Sequence, residues 1–198
     1  MNAQPLALSR GVRLEAITVV WMTLEAILAL AAGIAARSVL LTAFGADSVI
    51  ELLSGATLWW RLRGESRIAG IEKTATRISA VLLILLCAYV VLSSIAGLVL
   101  QVEPERSWLG VAVTAAAVVL MPWLASRKRD VNRTLQSPAL RADIAESATC
   151  AYLAGVTLIG VAIDAFTGLW WVEYIAALVL LAWLIPETRE AVEAARER

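Results

Sequence analysis

Apolar residues fill six stretches of the chain, each about long enough to cross ~30 Å of hydrocarbon as a helix of ~20 residues. They fall at about 14–36, 39–61, 78–101, 107–125, 139–164 and 168–186. The expected architecture is therefore all-α: a polytopic membrane protein of six transmembrane helices. One transmembrane domain, 1–198, includes a short charged tail at 187–198. Ser137 followed by Pro138 suits an N-cap and first helical position for the fifth helix. Pro186 is expected to end the sixth helix, Gly168 to lie in the turn before it, and Pro104 to mark the connection from the third to the fourth. The opening segment has no apolar core before Arg10 and Arg13, so the first span is expected to stay in the membrane rather than be cleaved.

Basic residues set the expected orientation. With six spans, one side would carry Arg10, Arg13, Arg61, Arg63, Arg67, Lys73, Arg77 and the run Arg127, Lys128, Arg129, Arg133. Arg141, Arg189, Arg196 and Arg198 fall on that side too, leaving only Arg37 and Arg106 opposite. Both termini are thus expected in the cytoplasm (N-in/C-in), with the cell membrane as the location. Most tryptophans fall near span ends, as interfacial belts do; Trp21 is the exception, inside the first helix. Small residues crowd the first and fourth spans, which permits close helix packing.

Of the 198 residues, 60% are hydrophobic, far more than a soluble core of this length needs. Seventeen basic and seventeen acidic residues cancel, and no basic groove with interleaved aromatics occurs, so nucleic acid is not an expected partner. There is no histidine, which excludes imidazole-ligated metal or haem, Ser-His-Asp chemistry and imidazole proton relays. With no cofactor motif either, an enzyme is not expected. Two cysteines, Cys87 and Cys150, lie deep in apolar runs and do not suggest a disulfide framework.

Against this background the buried acids stand out. Asp47 with Glu51, and Glu146 with Cys150, are spaced i, i+4, so each pair shares one helix face. An ionisable group at mid-bilayer costs about 2.5–3.5 kcal/mol, so three unpaired carboxylates would cost roughly 8–10 kcal/mol. A cation, protons or both would compensate them. Counting 1.5 Å per residue from opposite ends, both pairs fall near the midplane, and four ligands in this pattern suit tetrahedral coordination of a divalent ion. Cys150 reads equally as ligand or as small apolar filler; Cys87 reads as filler. Ser48 or Ser54 would serve as hydrogen-bond partners if Asp47 and Glu51 were merely structural. Asp143, one turn before Glu146, is a candidate for the inner access route, or a first-turn acid favoured by the helix dipole. Glu25 is a candidate proton or cation group, or a partner for a neighbouring helix. Glu15 is expected at the interface, and Asp164 and Glu173 near the outer ends, facing water.

The segments AFGADSVIELLSG and ALRADIAESATCAYLAGV resemble the second and fifth helices of cation diffusion facilitator transporters. That resemblance implies a six-helix, N-in/C-in divalent-metal/proton antiporter that exports zinc, cadmium, iron, cobalt or manganese. It places Asp47, Glu51, Glu146 and Cys150 at the ligand positions, with Ala142-Asp143 matching a family dipeptide. Departures are Cys150 where a carboxylate is usual, Glu146 where zinc-selective members often have histidine, and the expected lack of a C-terminal cytoplasmic domain and of a His-rich loop. A homodimer is implied by the same resemblance. With the thiol included, Zn²⁺ is the favoured cargo; Mn²⁺, Fe²⁺, Co²⁺ and Cd²⁺ stay open, and no resident cofactor is expected. The rival readings are a non-transporting membrane scaffold or subunit and an exporter of organic cations.

Overall fold

A computed structural model describes residues 3–62 and 68–197, and among these every regular element is an α-helix. The six are α1 (Ala3–Ala36), α2 (Val39–Leu62), α3 (Ile68–Leu100), α4 (Trp108–Leu135), α5 (Pro138–Thr167) and α6 (Trp171–Glu197). All six contain a stretch long and apolar enough to cross a membrane. Of the basic residues used for orientation, Arg63, Arg67 and Arg198 lie outside the described residues.

The helices overrun the apolar stretches at several ends, because helical hydrogen bonding continues after hydropathy falls. Helix α1 begins eleven residues earlier than its apolar stretch, and α4 ends ten later, at Leu135. The largest correction is at Pro186: the sixth helix does not stop there but runs on to Glu197 with the proline inside it. Proline removes one N–H, and so only one helical bond, to the Ala182 carbonyl. The polar turns beyond it keep theirs.

Caps follow the local sequence. Ser137 accepts a hydrogen bond from Leu140 N–H and is followed by Pro138, which opens α5 as expected. Ser107 caps α4 through Gly110 N–H. Gly168, at φ 73°, closes α5 in the left-handed conformation that glycine adopts without strain. The α1–α2 turn has only Arg37 and Ser38, with Arg37 left-handed at φ 54°. Ser38 N–H there donates back to the Gly33 carbonyl at 2.9 Å, and Glu105 N–H from the α3–α4 connection donates to the Ala36 carbonyl at 2.7 Å.

Helix α2 is central, packing against α1, α3, α5 and α6; α1 also meets α4, α4 meets α5, and α3 pairs with α6. Phe44, Leu40, Met121, Leu153 and Tyr174 are among the side chains that fill the interior. Helix α3 buries the least of its span and turns Val81, Leu85, Leu92 and Val99 outward, as a lipid-facing surface requires. At α1–α2 the backbones nearly touch: a Cβ on Gly33 would lie 2.6 Å from Thr42 N, and one on Gly45 2.7 Å from Leu30 N. Only glycine permits that approach.

Candidate cation site

Asp47 and Glu51 fall one turn apart on α2, and both are buried, at 3% and 4% exposure. They lie about 12 and 18 Å into the helix at 1.5 Å per residue. Glu146 and Cys150 lie about 12 and 18 Å into α5 from its own start, and α5 packs on α2. Glu146 is half-buried and Cys150 is buried. All four sequence-predicted residues therefore face the interior in one region of the bundle.

Their partners differ from the simple expectation. Ser48 and Ser54 do not bond Asp47 and Glu51. Ser48 donates instead to Glu25 Oε1 at 2.8 Å, and Ser54 donates to Glu146 Oε1 at 2.9 Å. The reason is helical phase. Ser54 follows Glu51 by three residues, so it projects from the same side of α2 toward the neighbour rather than back along the helix. Asp47 Oδ1 and both carboxylate oxygens of Glu51 are left without a hydrogen-bond partner among the described residues. An unpartnered buried acceptor costs about 1–3 kcal/mol, more if charged, so these oxygens are an unmet demand for a proton or a cation.

Glu25 is fully buried on α1 and joins this region directly. Its Oε2 accepts from Trp21 Nε1 at 2.7 Å, and its Oε1 lies 3.6 Å from Cys150 Sγ in a thiol–carboxylate contact. The indole that broke the interfacial pattern thus has a polar duty in the membrane interior: it holds one carboxylate oxygen so that the other meets α2 and α5. Glu187 of α6 was not singled out from sequence. It is near enough to Asp47, Glu51 and Glu146 to act on their charge, and its Oε2 is buried without a partner. Its only signal in the sequence was an acid next to a proline that was expected to end the helix.

In this conformation no three of the cysteine and acidic side chains among the described residues are close enough to hold one metal ion together. The region is a set of converging but separated oxygens and one thiol.

Toward the end of the bundle where α4 stops and α5 starts, three further charges meet. Lys128 Nζ on α4 lies 2.5 Å from Asp143 Oδ2 on α5 and 3.1 Å from Glu15 Oε2 on α1. Glu15, expected at the interface, is fully buried among the helices, and Lys128, one of the basic residues used for orientation, is buried at 1% exposure. Asp143 is paired with the ammonium. At the opposite end of the bundle, Ser38 donates to Glu173 Oε2 at 2.5 Å, and both Glu173 and Asp164 are buried rather than facing water. Cys87 sits half-buried, 3.4 Å from Thr188 Oγ1.

The sequence profile of the cation efflux transmembrane domain matches residues 16–196. No curated protein matches the chain.

Proposed function

Since the chain belongs to the cation efflux family, and is thus a multi-pass membrane transporter of cations, we propose that it exports a divalent metal ion in exchange for protons. The observation that carries this reading is the pair of α2 acids, Asp47 and Glu51. Both are buried, and they leave three oxygens unpartnered opposite Glu146 and Cys150. In the proposed cycle these four side chains draw together on the ion, Glu146 giving up its Ser54 bond. Binding expels the protons that otherwise satisfy the same oxygens and the thiol, so metal and protons exclude one another and their fluxes are coupled. In the absence of histidine the carboxylates and the thiol carry the protons. Rocking of the helices about this level then exposes the site to the other side, as alternating access about a midplane site requires. A thiol beside carboxylates favours Zn²⁺ or a related transition ion over Mg²⁺. The basic-residue asymmetry supports both termini in the cytoplasm of a cell-membrane protein. Homodimeric assembly belongs to the same reading.

The test is metal flux into vesicles containing the purified protein, with a metal-sensitive dye inside and proton movement followed in parallel. Asp47→Ala is expected to abolish Zn²⁺ flux and its proton counterflow. Cys150→Ser is expected to keep flux but move preference from Zn²⁺ toward Mn²⁺. An Asp47→Ala protein that transports Zn²⁺ normally would refute the site. Flux of organic cations with indifference to Zn²⁺ and Mn²⁺ would replace the cargo.

A further inference from the structure

We infer that Glu15 and Asp143 are the carboxylates of a second divalent-cation site, on the inner side of the bundle, which Lys128 fills as a tethered cation. Three helices contribute: α1 brings Glu15, α4 the ammonium and α5 Asp143. The two acceptor oxygens lie 2.5 and 3.1 Å from Nζ, hence within 5.6 Å of each other. Two oxygens at about 2.0–2.2 Å from a Zn²⁺ ion are at most about 4.4 Å apart, so small rotamer changes close the pair on a metal.

Two features distinguish this cluster from a structural ion pair. The first is composition: one basic group faces two carboxyl groups, one acid more than the base can match, at a site where none of the three residues exceeds 5% exposure. A divalent ion in place of the ammonium neutralises the pair. The second is Glu15 itself, fully buried, with neither carboxylate oxygen in hydrogen-bonding geometry with any partner among the described residues. Lys128 approaches Glu15 through Oε2 only, at 3.1 Å. Buried ion pairs contribute little net stability compared with apolar side chains of the same size, so packing gives no reason for three charges here.

The site also adjoins the one above it. Asp143 precedes Glu146 by three residues on the same face of α5, about 4.5 Å along the axis, and both Asp143 and Lys128 act on the Glu146 charge. When Lys128 withdraws, an ion held by Glu15 and Asp143 is one helical turn from the proposed transport ligands. The role as a way-station rests on the proposed transport. The site itself does not.

The experiment is thermal unfolding of the purified full-length chain in detergent micelles, with and without ZnCl₂, in an Asp47→Ala background that removes the upper site. Adding Lys128→Met is expected to lower the unfolding temperature without metal, and ZnCl₂ is expected to restore it by several degrees. The Lys128→Arg protein and the Asp47→Ala parent are expected to show no such rescue. Adding Glu15→Gln and Asp143→Asn to the Lys128→Met protein is expected to remove the Zn²⁺ response while leaving it folded. The inference is overturned if Lys128→Met gains no Zn²⁺-dependent shift, if the shift survives loss of both carboxylates, or if neither Lys128→Met protein folds with or without ZnCl₂. A Zn²⁺ response that persists unchanged in the Asp47→Ala parent counts instead against the upper site, so the two failures read differently.

Discussion

Gly45→Ala is the sharpest single test of how packing positions the acids. The added methyl would lie 2.7 Å from Leu30 N and 2.9 Å from Leu30 Cγ on α1, whereas ordinary contact begins at 3.4 Å. Because the nearer atom is backbone, no rotamer change relieves the clash, and α1 and α2 must separate by about 0.7 Å. Overpacking of this kind costs about 1–3 kcal/mol. At roughly 2–4 °C per kcal/mol for a chain of this size, the unfolding temperature in detergent should fall by about 2–12 °C. The same separation would stretch the 2.8 Å bond between Ser48 and Glu25 to about 3.5 Å, beyond useful hydrogen bonding. Zn²⁺ flux should therefore fall along with stability. Gly155→Ala is the control: a Cβ there meets nothing within 4 Å, so this protein should melt at the same temperature or slightly higher, alanine being the better helix former. Equal melting and equal flux for the Gly45→Ala and Gly155→Ala proteins would refute the claim that backbone contact between α1 and α2 sets the site.

Other outcomes follow from single contacts. Trp21→Phe keeps the ring but removes the 2.7 Å donor to Glu25, and should slow Zn²⁺ flux severalfold with little loss of folded protein; unchanged flux would show that Glu25 needs no orientation. Ser107→Ala removes the α4 cap and should cost about 1 kcal/mol of stability, read as a lower unfolding temperature, without changing cargo preference. Ser54→Ala frees Glu146 of its 2.9 Å hydrogen bond, so the Zn²⁺ concentration for half-saturation should fall while the Asp47→Ala phenotype stays the same.

The fold was legible because lipid imposes a simple rule: twenty apolar residues in a row make a span, and six such runs make six helices. The α2 acids were legible for a related reason. An i, i+4 pair of carboxylates inside such a run is conspicuous, and helical phase fixes that both side chains share a face. What the sequence did not reveal is pairing between distant helices. Glu25 meets Cys150 across 125 positions, and nothing local to Trp21 or Glu25 announces that contact. Lys128 is a stronger case. Within the run Arg127–Arg133 it reads only as one more basic residue that sets orientation, yet it alone of Arg127, Lys128 and Arg129 is buried, because its phase on α4 turns it toward α1 and α5. Pro186 misled in the opposite way. Its rule as a helix terminator holds for runs of backbone bonding, not for a single missing N–H near the end of a span, and Glu187 was overlooked with it.

The two-residue turn at Arg37 and Ser38 has a mechanical consequence. With Gly33 and Gly45 pressing the two backbones together, α1 and α2 form a single lever. Its tip is pinned at the α1–α2 turn, where Ala36 holds the Glu105 amide and Ser38 holds Glu173 of α6. Tilting about that fulcrum displaces each residue in proportion to its distance from it: about 17 Å for Glu25 and about 32 Å for Glu15. Glu15 therefore travels nearly twice as far as Glu25, and a swing too small to disturb the acids at mid-membrane already pulls it away from Lys128.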